Sequence, residues 1–366
     1  MAKSALPRLH WMDGLRILGC VLVCSSHFNE YLIGSSDGSS AVVVSTFLGV
    51  NLGGLGVALF FLLSGAALMH VYGSRLDVPD YAKRRFLDIY PQYWVAYALI
   101  FLLAMLWGFP REAPAWTLIL TVLGIDGYVG RIGEPFVPNF YLVGEWYIGC
   151  QLVMYLLFPL LRRLVKRSPW LALTGSCAVS ALGMAAIGGS PGLLGEFSAN
   201  PNWLVTSHLP EFCFGMVMME RWHHISKPPV VAICAGFLAL TALVIPGAGS
   251  NTIPYVFEWA IAAASLTVCV RRYTERFPIA ALDELATRVS ALCFPAFLVH
   301  HVILSRVFGL LAGFGPMGLR LEVEAILLSL ACVVSCAVVV ARISSALKRL
   351  LSLLLFRGAP DARRAS

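Results

Sequence analysis

Residues 48–73 read LGVNLGGLGVALFFLLSGAALMHVYG. The stretch holds no Asp, Glu, Lys or Arg. Wound as a helix it rises about 39 Å, more than the roughly 30 Å of a bilayer's hydrocarbon core. Nine further runs have a similar apolar character, near 11–33, 89–109, 141–161, 169–188, 204–221, 229–247, 253–270, 289–313 and 322–341. Trp116–Gly124 is apolar too, but too short to span, and reads as a re-entrant or interfacial piece.

Composition agrees with that reading. Of 366 residues, 58% are hydrophobic and only 13% charged, with a mean hydropathy of +0.78. One soluble core cannot absorb so much apolar surface, and disordered, collagen-like and disulfide-stapled classes are excluded as well. The expected fold is an all-α, polytopic transmembrane helical bundle of about ten spans, multi-pass in the plasma (cytoplasmic) membrane. The ten cysteines lie almost all in apolar runs and read as small buried hydrophobes. No metal is expected.

The net charge of +7 does not point to nucleic acid, because the basic residues sit in short clusters between apolar runs. With the N-terminus inside, 22 of the 27 Lys and Arg fall in cytoplasmic segments and three, Arg111, Arg131 and Arg320, in outer ones. Ten spans with both termini cytoplasmic satisfy the positive-inside bias. Counting 116–124 as a span would put Arg162–Arg167 outside. Residues 1–357 form one membrane domain in this reading, and 358–366 a disordered tail. The start of the chain has signal-peptide character, but the apolar run continues through Phe28, Tyr31 and Ile33, which favours an uncleaved first span.

Polar groups inside spans are costly and therefore informative. Arg16 and His27 are eleven residues apart, three helical turns plus about 20°, so they share a face about 16.5 Å apart along the axis. The bland alternative has Arg16 snorkelling to the surface and His27 bonded to a neighbouring helix. Ser64-Gly65 reads first as close helix packing, second as a passage for a thin ligand. Lys83-Arg84-Arg85 is a topology determinant and, more sharply, a cytoplasmic phosphate-binding patch. Pro91 belongs in a first turn or at a kink. Glu145 opens the fourth span, Glu211 the sixth, and His300-His301 lie within the ninth. Adjacent histidines diverge by about 100°, so at most one is expected to face a given pocket.

These residues resemble acyltransferase family 3. Asp13-Gly14-Leu15-Arg16, ten residues, then His27-Phe28 is similar to the family's opening motif. Gly56–Gly65, Arg84–Trp94 (which includes Tyr93), Trp146 to Pro159, Leu209–Met216 and Phe297–His300 resemble the later ones in order. Two positions depart. Asp88 stands where a second Arg is usual, and Gln151 where many members carry Glu, with Glu145 a substitute for that acidic role. The resemblance implies a membrane O-acyltransferase. Its donor is acetyl-CoA or another acyl-CoA, and its acceptor a carbohydrate, glycolipid or other envelope hydroxyl. The donor's phosphates would rest on Lys83, Arg84 and Arg85. Its pantetheine arm would follow the Arg16–His27 face to His27 as general base, Arg16 and His27 being the catalytic pair, with Ser64, Tyr93, Glu145, Glu211 and His300 lining the substrates. Membrane lipid is the other expected partner, and the oligomeric state is left open. A glycolipid or polysaccharide transporter is the runner-up, and a non-catalytic partner in an assembly complex a third reading. Transporter folds often show two matching halves, and none is visible here.

Overall fold

The computed structural model describes residues 7–35, 46–47, 50–106, 113–129, 138–187, 203–244, 253–311, 313 and 318–355. Arg111, Arg131 and the tail 358–366 lie outside them. The described residues form helices α1 (His10–Ser35), α2 (Leu52–Tyr72), α3 (Val78–Leu106), α4 (Leu118–Leu123), α5 (Asp126–Val129), α6 (Glu145–Arg167) and α7 (Pro169–Ile187). They continue with α8 (Leu209–Glu220), α9 (Trp222–Ile225), α10 (Pro228–Val244), α11 (Ile253–Arg276), α12 (Ala280–Leu311) and α13 (Leu319–Leu355). One short antiparallel ladder, Thr46–Phe47 against Val50–Asn51, precedes α2, and the Asn51 side chain accepts from the Gly54 N–H to cap it.

Each of the ten apolar runs coincides with a helix. Six of these, α2, α3, α6, α7, α12 and α13, are long and apolar enough to cross a membrane. The other four runs form α1, α8, α10 and α11. At twelve residues, α8 rises only about 18 Å. It is wrapped by protein instead of lipid, with Leu209, Phe212, Cys213, Met216 and Val217 all buried. Two glycines let it lie against α2. A Cβ at Gly65 would strike the Phe212 carbonyl, and one at Gly215 the Leu62 carbonyl. The packing reading of Ser64-Gly65 therefore holds for the glycine. Around this pair, α1 packs on α2 and α12, and α13 closes the bundle against α12 and α3.

The basic triplet lies on α3 itself, because that helix starts well before the third apolar run. Pro91 consequently sits inside the helix and not in its first turn. The 116–124 segment forms a 3-10 turn and the six-residue α4, ended by Gly124 at φ +72°. Trp94 Nε1 donates to the Val122 carbonyl (2.9 Å) and the Tyr90 hydroxyl to that of Leu123 (3.0 Å). Those donors lie near the start of the third run, whereas α3 ends at Leu106. After leaving α3 the chain folds back along it, which favours the re-entrant reading over the interfacial one. All ten cysteines are free, four of them buried and six half-buried.

Candidate active site

His27 of α1 meets two histidines of α12. Its ring centroid lies 5.1 Å from that of His300 and 5.1 Å from that of His301. Both adjacent histidines therefore reach one partner, although they diverge on their own helix. A single ring on a crossing helix is broad enough to lie between them. His27 Nδ1 is 3.1 Å from Glu30 Oε2, one turn on. The His300 ring is fully buried, and its Nδ1 donates to the Phe297 carbonyl at 2.7 Å, which fixes the proton of the neutral ring on Nδ1. The Tyr31 hydroxyl lies 3.2 Å from His301 Nε2.

At the opposite end of α1, Asp13 is 1% exposed. It accepts from Arg8 (Nε, 2.8 Å), Arg16 (Nη1, 3.1 Å) and the Ser290 hydroxyl of α12 (2.8 Å). Between the two ends, the Cys20 thiol faces the Cys293 carbonyl. Arg16, Cys20 and His27 thus share one face of α1, as the spacing predicts. The opposing stripe on α12 is Ser290, Cys293 and His300.

A polar line on α6 runs from this interior toward the basic residues. Tyr147, Gln151 and Tyr155 recur every four residues and so stack on one face. The Tyr147 hydroxyl donates to Gln151 Oε1 at 2.9 Å and lies beside Ser64. Its ring packs against Phe297 (5.0 Å), the neighbour of His300. Two turns along, the Tyr155 ring lies 5.8 Å below the Arg85 guanidinium. From Tyr147 to Tyr155 the line covers about 12 Å.

The basic triplet does not present bare charge. Arg84 pairs with Asp80 (2.8 Å) and Arg85 with Asp88 (2.8 Å). Asp88 also binds Lys348 of α13. Lys83 is half-buried on the same helix. Position 88 is thus joined to a cation arriving from another helix.

The remaining predicted residues lie elsewhere. Buried Tyr93 donates to Asp126 Oδ1 (3.1 Å) and holds the re-entrant piece, away from the histidines. Glu211 is buried beside His208, its Oε1 3.4 Å from Nδ1, and His208 is sandwiched between Phe61 (4.5 Å) and Trp146 (5.3 Å). Glu145 opens α6, but its side chain lies outside the described residues. Sequence reasoning passed over Glu30, His301 and Tyr31 as partners of the site. Glu30 was detectable, because i+3 from His27 is the same helical face. The other two needed the crossing of α1 and α12.

The family model described as an acyltransferase domain, acyltransferase family 3, matches residues 9–342. The chain belongs to this family. It is also similar to the acyltransferase MdmB of Streptomyces mycarofaciens, at 25% identity over 229 residues, which is 62% of this chain and 53% of that protein. The chain thus spans about half the length of the relative it matches. No solved structure matches. Family membership and the apolar helices together make this acyltransferase 3 chain a multi-pass membrane protein.

Proposed function

We propose that this chain moves an acyl group, acetyl by default, from cytoplasmic acyl-CoA to a hydroxyl of a carbohydrate or other envelope acceptor at the plasma membrane. The observation that carries the reading is His27, held by Glu30 and set between His300 and His301 inside an acyltransferase-family bundle. With Nδ1 turned to Glu30, Nε2 is the nitrogen that takes the acceptor's proton. An imidazole in this role contributes typically 10²–10⁴-fold. The freed alkoxide attacks the thioester carbonyl carbon, the C–S bond breaks, and the coenzyme A thiolate leaves. His27 returns its proton to that thiolate, so the products are an ester and free coenzyme A. Arg16 is about 16.5 Å from His27 along α1 and therefore acts on a different part of the donor. We assign it, with Lys83, Arg84 and Arg85, to holding the donor's anionic end. The Asp80 and Asp88 pairs do not oppose this. The Arg84–Asp80 pair is solvent-accessible and worth about 0–1 kcal/mol, and a polyphosphate can displace it; Asp88, shared between Arg85 and Lys348, leaves that pair of cations with one net positive charge.

The test is coenzyme A release from acetyl-CoA by the purified protein in nanodiscs, with His27→Ala alongside. Slow release without acceptor is expected, since water can replace the hydroxyl, and it should vanish in the variant. Release that persists unchanged removes His27 as base and shifts the role to His300. Absence of both release and acetyl-CoA binding overturns the acyl-CoA reading.

A further inference from the structure

Arg342, Ser345 and Arg349 lie at i, i+3 and i+7 of α13 and so face one side of it. They line an open surface groove of about 570 Å³, bordered by Val338 and Ala341 of the same helix and by Leu292 of α12. The groove is graded. Its apolar walls belong to the spans, and its two guanidiniums and hydroxyl lie just past them, at the end that the charge distribution makes cytoplasmic.

Three observations narrow the ligand. First, neither arginine joins an ion pair among the described residues. Arg84, Arg85 and Lys348, in contrast, are each in an ion pair, Arg84 with Asp80, and Arg85 and Lys348 sharing Asp88. The groove thus presents two uncompensated cations. Second, both are exposed, with a hydroxyl between them, and Arg donors suit phosphate oxygens. They are about 10.5 Å apart along the axis, near enough for two long side chains to converge. Third, the surroundings are greasy. Val339, Ile343, Leu350, Leu353 and Leu354 are exposed, so apolar surface continues past the arginines. A free phosphate in water has no use for that surface, whereas a lipid uses both.

We propose that this groove seats an anionic phospholipid, its phosphate on Arg342 and Arg349 and one acyl chain along Leu292, Val338 and Ala341. The inference rests on α12 and α13 lying in the membrane and not on the acyl-transfer reading. Each arginine near a headgroup is worth about fivefold in affinity, so losing both costs about 25-fold.

The test is native mass spectrometry of the detergent-purified protein after incubation with phosphatidylglycerol or phosphatidylcholine. Wild type should retain phosphatidylglycerol selectively. R342Q/R349Q should retain about 25-fold less, with coenzyme A release in phosphatidylcholine nanodiscs unchanged. Equal retention by the two proteins overturns the proposal. So does loss of acetyl-CoA binding with lipid retention intact, which would assign the groove to the donor's phosphates. Val338→Trp keeps every charge and fills the acyl channel. It should lower retention too, and it decides the matter if the double variant does not fold: unchanged retention there also sinks the site.

Discussion

At one end of α1 a buried carboxylate is held on several sides at once. Asp13 accepts from two arginines and from Ser290 across the helix interface, and little solvent reaches it. At the other end His27 meets its α12 neighbours through ring contacts of 5.1 Å, and its carboxylate partner Glu30 is 65% exposed. Both ends join α1 to α12 with polar residues, yet they do different work. The Asp13 end is tied down by short charge-assisted bonds, which lock geometry. The His27 end holds an imidazole among two histidine rings and one exposed carboxylate. The difference teaches where to look for chemistry in a polar seam. Heavily bonded charges act as struts, and in the function proposed above the reactive group sits at the other end of the seam.

The largest effect should come from the loose end. His27→Ala is expected to lower coenzyme A release by about 10²–10⁴-fold, the range of a general base, while leaving detergent thermal stability near that of wild type. A large loss of stability with normal specific activity would reverse the assignment of the two ends. His300→Gln should cost less in turnover. Its Nδ1 bond to the Phe297 carbonyl positions the ring against His27, and Gln keeps a donor for that carbonyl.

The tied end should break the other way. Asp13→Asn leaves Arg8, Arg16 and Ser290 around a neutral group; the two arginines reach solvent, so the cost is that of weakened bonds to a buried charged group, about 1.5–3 kcal/mol. The expected result is a marked fall in thermal stability in detergent. Arg8→Ala should cost under about 1 kcal/mol, because Arg8 is half exposed and its pair is screened. Near-equal losses in the two variants would mean that Asp13 is not the strut described.

Much of this arrangement was legible before any coordinates. The ten apolar runs marked ten helices, and the eleven-residue spacing put Arg16 and His27 on one face. What escaped was what depends on crossings. Nothing in the α12 sequence alone says that His27 will lie between His300 and His301. Nor does the basic triplet announce that Lys348, 260 residues later, will meet Asp88. Such contacts are set by how helices pack, and packing follows from features such as the Gly65–Gly215 approach, whose partner lies far away in sequence. The extent of α3 escaped for a different reason. Hydropathy finds the membrane core, while helices extend past it wherever polar residues still favour helix.

The smallest effect sharpens the comparison most. Glu30 is exposed, so its pair with His27 should be worth no more than about 1 kcal/mol, or about fivefold in rate. Glu30→Gln keeps an acceptor for His27 Nδ1 and removes only the charge. It is expected to slow coenzyme A release by less than about fivefold at low salt. Screening shortens the reach of an exposed charge to about 3 Å at 1 M salt, so the ratio of wild type to variant should shrink toward one there. Glu30→Ala removes the acceptor as well, and its deficit should persist at high salt. If Gln and Ala behave alike at every ionic strength, Glu30 does not orient the ring, and the loose end of α1 is looser still.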